Sequence, residues 1–321
     1  MDLSFLCHQL FLSLAHSTYL IYFCAMNKTK GAIAVFLGAA SFGILSTFVK
    51  KAYAQGYNLA EVTGIQALLG VVFLWLAWLL IKNLQQPTKS QTPLSPKWKI
   101  YLSGVSTGMV SILYYKCVEL VPASLAIVLL MQYIWIGQII ELIFFKVKPQ
   151  LSQIIVIIAI LAGTVFATGM IEEPLESFSL LGIGYGMLAA TAYSIFMIVN
   201  GRVGNDYHPI HKSAMMISGA LFLITVTLHP FSLFNSETFM GILPYGLLLS
   251  IFGTVIPPLL FAYGMPKVGY SLGAVLSAVE LPVAVCMSYL VLQESVSWLK
   301  WIGVIFILLT IFWKNNLKTN N

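Results

Sequence analysis

The stretch AVLSAVELPVAVCMSYLVLQES, from Ala274 to Ser295, is apolar enough to dissolve in a bilayer, yet Glu280 and Pro282 stand near its middle. A carboxylate at the centre of hydrocarbon costs about 2.5 to 3.5 kcal/mol on insertion scales, and a proline removes a backbone donor that a helix uses. Glu280 therefore has to face a cavity or a partner group, if the chain lives in lipid at all.

The rest of the chain answers that condition. Of its 321 residues, 59% are hydrophobic and 9% charged, against about 25% charged in an ordinary soluble domain. This is the composition of a membrane protein, and at about 20 apolar residues per crossing the chain has room for about ten. The net charge of +6 sits on Lys and Arg residues scattered at the ends of apolar segments. They form no basic stripe and so leave no footprint for nucleic acid. Cys7, Cys24, Cys117 and Cys286 lie in or beside apolar runs without CxxC or metal-type spacing, which reads as buried thiols.

Hydropathy and polar breaks predict ten helical spans at about 31–49, 59–81, 99–118, 122–145, 151–169, 180–200, 211–229, 240–264, 270–292 and 297–313. The longest break, Lys82 to Pro96, is polar with three prolines. With the residues before Gly31 inside, Lys28, Lys30, Lys82, Lys89, Lys97, Lys99, Lys146, Lys148, Arg202, Lys212, Lys267, Lys314 and Lys318 fall on the cytoplasmic face. Only Lys50, Lys51, Lys116 and Lys300 fall outside. That bias predicts both ends in the cytoplasm, with the loop of Glu172, Glu173 and Glu176 facing out. Residues 1–25 carry no positive charge ahead of their apolar stretch and do not read as a signal peptide. Met26, followed by NKTKG, reads as a natural start; an over-extended reading frame explains 1–25, with an eleventh helix as the alternative.

The chain repeats itself. At an offset of 147, VPASLAIVLL (Val121 to Leu130) meets VGYSLGAVLS (Val268 to Ser277); at 151, GAIAVFLGAASFGI (Gly31 to Ile44) meets GIGYGMLAATAYSI (Gly182 to Ile195). Five crossings are an odd number, so a second copy enters the membrane upside down. Inverted repeats of this kind give secondary transporters two similar states around a site near the midplane.

The stretch FAYGMPKVGYSLGAVLSAVELPVAVCMSYLVLQESVSWLKWIGVIFILLTI resembles the drug/metabolite transporter superfamily, and within it the EamA type, through Tyr263, Ser271, Glu280, Pro282, Glu294 and Gly303. The resemblance covers about Met26 to Trp313. It implies an all-α integral membrane protein of ten helices in two inverted five-helix repeats, at 26–169 and 180–313, with a cytoplasmic tail at 314–321. It also implies spans 3, 4, 8 and 9 around a central cavity. The first repeat departs from the pattern: Tyr133, Ile134 and Trp135 stand where the second has Glu280, Leu281 and Pro282.

Candidate site residues follow from depth and spacing. Glu280 reads equally as a substrate or proton site and as a hydrogen-bonded strut. Ser277 shares its helical face. Gln132, Tyr133 and Trp135 lie deep in span 4; Gln132 suits a pocket, while Trp135 reads more readily as core. Tyr114 and Tyr115 belong to an interfacial belt, with gating as the lesser reading. Pro257 and Pro258 bend or break span 8, and with Pro282 are candidate hinges. The pairs Gly104 with Gly108, Gly182 with Gly186 and Gly269 with Gly273 read as close helix packing.

GIGYG (Gly182 to Gly186) has no preceding strand, HPIH (His208 to His211) has too few neighbouring ligands for a metal, and there is no phosphate-binding loop, nucleophile elbow or HExxH. No catalytic residue, metal or cofactor is expected. The reading is a secondary transporter exporting small metabolites such as amino acids by alternating access, in a bacterial inner membrane. Its partners are the substrate and membrane lipids, with protons as candidate coupling ion and a homodimer as candidate assembly. The rivals are an integral-membrane enzyme, for which His208 and His211 lie about half a membrane from Glu280, and a non-transporting scaffold.

Overall fold

A computed structural model describes residues 27–82, 94–121, 123–168, 179–293 and 297–317. The expected N-terminal extension, the acidic loop after span 5, Glu294 and the residues beyond 317 lie outside them. The described chain is all-helical. Its helices are α1 (Asn27–Ala54), α2 (Leu59–Ile81), α3 (Lys97–Leu120), α4 (Ala123–Met131), α5 (Tyr133–Phe145), α6 (Leu151–Thr168), α7 (Leu180–Arg202), α8 (Pro209–Leu228), α9 (Ser236–Leu249), α10 (Ile256–Ser277), α11 (Glu280–Met287) and α12 (Trp298–Leu317).

Among the described residues, six helical segments are long and apolar enough to cross a membrane. The last, Ser236–Leu292, runs for 57 residues, about 85 Å at 1.5 Å per residue, far more than the roughly 30 Å hydrocarbon core. It is not one rod. Gly269 takes φ 73°, ψ 169° and joins two helices within α10, a conformation that only glycine adopts without strain. Gly269 is thus a connector, not the packing residue that its spacing from Gly273 suggests. The expected spans at α3, α6 and α12 fall outside the six: α3 carries Lys97, Lys99, Lys116 and Glu119, and the apolar runs Leu151–Phe166 and Trp298–Ile311 are shorter.

Glycines let the rods close up. A methyl at Gly104 would overlap the Met216 carbonyl and one at Gly219 the Tyr101 carbonyl, which seats α3 directly on α8. Gly182 and Gly186 of α7 pack on Val121 and Leu129, while Gly31 and Gly38 of α1 pack on Lys267 and on Leu260 and Pro257. These two contacts are related by the repeat. The loop residue Asp206 accepts a hydrogen bond from the Ser95 N–H, and the Tyr207 hydroxyl donates to the Ser95 carbonyl at 2.9 Å, tying the α2–α3 loop to the α7–α8 loop.

Among the described residues, three of the helical runs are interrupted. α1 is interrupted at Gly43 and Ile44, α4 gives way to α5 at Gln132, and α10 gives way to α11 at Ala278 and Val279. Gln132 and Val279 are 147 apart, the spacing of the repeat. A π-helical segment, Ser250–Val255, links α9 to α10. Pro257 and Pro258 then occupy the first turn of α10, directly after that π segment, whose widened turn accommodates their missing N–H donors. Pro282 is likewise in the first turn of α11.

Candidate substrate site

The break at Ala278 makes Glu280 the first residue of a half-helix, where the positive end of the helix dipole favours an anion. The Leu281 N–H turns back to the Ala278 carbonyl at 3.3 Å, so Pro282 removes no bond that the broken helix would otherwise make there. Glu280 is 1% exposed and its Oε1 accepts a hydrogen bond from the Tyr193 hydroxyl of α7.

Tyr193 is held by rings on every side. Tyr133 meets it edge-on with centroids 4.7 Å apart, Phe42 of α1 does so at 5.9 Å, and Phe196 stacks on it at 5.7 Å. Phe261 of α10 completes the layer against Phe42 and Phe196, at 5.8 Å from each. Contacts of this kind add about 0.5 to 1.5 kcal/mol each beyond burial.

Glu280 and Tyr193 border a narrow cavity with about 40 Å³ of space for water centres, enough for about three waters. Phe42 and Leu45 of α1, Gln66 of α2, Ile127 and Leu130 of α4 and Gly253 of the π segment form part of its wall. The α3 side contributes Thr107, Val110, Ser111, Tyr114 and Tyr115. Helices α1, α2 and α7 thus join those from the expected spans 3, 4, 8 and 9. The hydroxyls of Thr107 and Tyr114 are buried without a well-formed hydrogen bond. Tyr115, by contrast, donates to Gln66 Oε1 at 2.7 Å. Unused hydroxyls beside a carboxyl are what a polar guest needs, because buried polar groups otherwise cost free energy unmatched.

The other sequence candidates divide. Tyr133 backs the site: its hydroxyl donates to the Ala274 carbonyl at 3.1 Å, and its own carbonyl accepts from Tyr270 at 2.6 Å and Ser194 at 3.0 Å. Gly137 makes the Tyr270 contact possible, since a methyl there would overlap that hydroxyl. Ser277 is fully buried behind the cavity. Gln132 and Trp135 are not brought to it; the Trp135 Nε1–H donates to Gln132 Oε1 at 2.8 Å, and Gln132 Nε2 donates to the Val128 carbonyl at 3.0 Å. Toward the end bearing Arg202, the aromatic layer gives way to an ion pair, Arg202 with Glu141 at 2.5 Å, the guanidinium lying 3.8 Å from the Phe145 ring centre.

Sequence reasoning passed over Phe42, Phe196 and Thr107. The signal for Phe42 was present, because the offset of 151 that aligns α1 with α7 sets Phe42 on Tyr193. Repeat-related residues thus meet at the centre twice, as Phe42 with Tyr193 and as Tyr133 and Glu280 on either side of Tyr193.

The sequence pattern of the EamA-like transporter family matches residues 29–169 and again 180–315. The chain belongs to the EamA-like transporter family. Its relatives include the uncharacterized transporter YcbK of Bacillus subtilis, 23% identical over 310 residues that cover 91% of this chain and 96% of that protein. The uncharacterized transporter sll1319 of Synechocystis is also 23% identical, over 73% of this chain and 70% of that one. A solved crystal structure shares the fold with a TM-score of 0.63 at 15% identity, over 87% of this chain and 95% of its own. The breaks at Gln132 and at Ala278 and Val279 occupy matching places in the two EamA units, so Tyr133 and Glu280 are the matching first residues of two half-helices. A multi-pass membrane protein of a transporter family is the setting in which the buried acid has to be understood.

Proposed function

We propose that the chain is a ten-crossing secondary transporter that moves a small amine-bearing metabolite, amino acids among them, outward by alternating access. Glu280 binds the amino group or exchanges a proton with it. The observation that carries this reading is a carboxyl, paired with one tyrosine, at a half-helix start beside a cavity that the Thr107 hydroxyl lines without a hydrogen-bond partner. Among the residues lining that cavity, Glu280 is the only one of Asp, Glu, Lys, Arg or His, which favours a cationic or donor-rich head group inside an aromatic wall.

Ten crossings require α4 with α5 to make one, α9 with the first part of α10 another, and the remainder of α10 with α11 a third. Two such five-crossing units, at 26–169 and 180–313, would be threaded oppositely, with both ends in the cytoplasm of a bacterial inner membrane. The pairing of α1 on α10 with α7 on α3 and α4 supports that symmetry. Tyr193, Tyr114 and Tyr115 join Glu280 as proposed substrate contacts, with Tyr133 and Ser277 as their support. Pro257 and Pro258 mark proposed pivots; Pro282, whose counterpart is Trp135 at a break that forms without a proline, is left out of them. Gln132 and Trp135 stay outside the proposed site.

Counterflow of labelled amino acids into vesicles holding the purified chain tests the reading. Accumulation above the equilibrium level that vanishes in Glu280→Gln is expected. Chemical conversion of substrate without flux, or accumulation unchanged in Glu280→Gln, overturns it.

A further inference from the structure

A second hollow lies on the opposite side of α3, between α3 and α7, with a volume of about 590 Å³, within the range of small-ligand pockets. It runs from Lys99 and Val203 at one end to Leu113 and Leu188 at the other, about 20 Å at 1.5 Å per residue. One leaflet of hydrocarbon is about 15 Å deep. The length therefore suits a single acyl chain reaching from head-group level past the midplane.

Its walls are chemically closed to a polar guest. The hydroxyls that line it are spent on their own helices, Ser103 donating to the Ile100 carbonyl at 2.7 Å, Ser106 to Ser103 at 2.7 Å and Thr191 to Met187 at 3.0 Å. Its one charge is Lys99, at the mouth. That ammonium lies 5.8 Å from the ring centre of Trp98, and among the described residues no carboxylate pairs with it. Trp98 is itself 62% exposed, as an aromatic anchor at the head-group level is.

We propose that this groove is a seat for one anionic phospholipid, an acyl chain along α3 and α7 and its phosphate on Lys99, on the face that the lysine bias assigns to the cytoplasm. A free cation beside a spent apolar wall complements a lipid of net negative charge and leaves a zwitterionic one with no added advantage. Each basic residue near an anionic surface contributes about a fivefold preference.

Native mass spectrometry of the full chain, released from nanodiscs of phosphatidylglycerol mixed with phosphatidylcholine, tests this. Retention of one phosphatidylglycerol per chain is expected, with its preference over phosphatidylcholine reduced about fivefold in Lys99→Gln. Ala192→Phe, which fills the groove, should remove the retained lipid while Lys99→Gln still elutes as a single species. Should Ala192→Phe fail to fold, Ile195→Trp at the same wall serves in its place. Equal retention of the two lipids, a preference indifferent to Lys99, or a groove covered by a second copy of the chain would each overturn the proposal.

Discussion

The breaks at Gln132 and at Ala278 and Val279 are built alike and finished differently. In the first repeat the chain breaks at Gln132 and resumes with Tyr133; in the second it breaks at Ala278 and Val279 and resumes with Glu280. Both leading residues contact Tyr193, one by its ring and one by its carboxyl. Yet Tyr133 is fully engaged, its hydroxyl and carbonyl tied to α10 and α7. Glu280 instead faces the cavity with a single tyrosine partner. One copy of the device is a strut and the other the proposed site, an asymmetric use of a symmetric scaffold.

The largest expected effect tests that contrast directly. Glu280→Gln should reduce flux by about a hundredfold or more, as loss of a proton-handling group does, with expression and monodispersity retained. Tyr133→Phe loses one hydrogen bond, about 1 kcal/mol, and should keep flux within about threefold. Comparable losses in both would remove the distinction between strut and site.

Next come the glycines beside each break. A methyl at Gly43 would lie 2.6 Å from the Glu280 carbonyl oxygen and 2.8 Å from Val283 Cβ, whereas one at Gly137 would meet the Tyr270 side chain. Overpacking costs about 1 to 3 kcal/mol. Both Gly43→Ala and Gly137→Ala should lower the thermal unfolding midpoint by about 3 to 8 °C, Gly137→Ala more, because its methyl would overlap the hydroxyl of a buried tyrosine that the Tyr133 carbonyl holds in place.

Pro282 has no counterpart in the first repeat, where Trp135 stands and the break forms regardless. Pro282→Ala should therefore change stability by less than about 1 kcal/mol and flux by less than about threefold. A tenfold loss of flux in the transport assay would make Pro282 the pivot.

The smallest effect concerns helix caps that also correspond across the repeat. Asn58 caps α2 reciprocally with Glu61, their bonds at 3.0 and 2.9 Å. His208 caps α8 through Nδ1, which accepts from the Ile210 N–H at 3.3 Å. Burial holds the His208 pKa below its usual value, so the folded state favours the neutral ring. The stabilisation is complete above the unfolded pKa of about 6.5 and is lost as pH falls through the window below it. His208→Asn should remove that dependence, raising the unfolding midpoint at pH 5.5 relative to wild type by about 1 to 2 °C with no change at pH 8.

Much of the fold was legible because lipid imposes a simple rule on composition. The expected spans 59–81 and 180–200 fall on Leu59–Ile81 and Leu180–Arg202. Helix starts shift where a polar cap sets them, as when the Asn235 side chain accepts from the Glu237 N–H and starts α9 ahead of the expected residue 240. The acid at 280 was legible by its cost alone. The breaks at Gln132 and at Ala278 were not, since neither position carries a proline or glycine; at each the carbonyl four residues back is taken by a side chain, Val128 by Gln132 Nε2 and Ala274 by the Tyr133 hydroxyl. Gln132 and Trp135 look like a pocket by spacing, and satisfy each other because i and i+3 face the same way. Sequence distance alone could not say that Phe42 and Phe196 would share one layer.

Gly269 joins the rod that begins at Pro257 and Pro258 to the rod that ends beside Glu280, with one non-helical residue between them. A glycine with two soft dihedrals and nothing packed against it is a universal joint, so the rod carrying the prolines is free to swing while the rod leading to the carboxyl holds its aim.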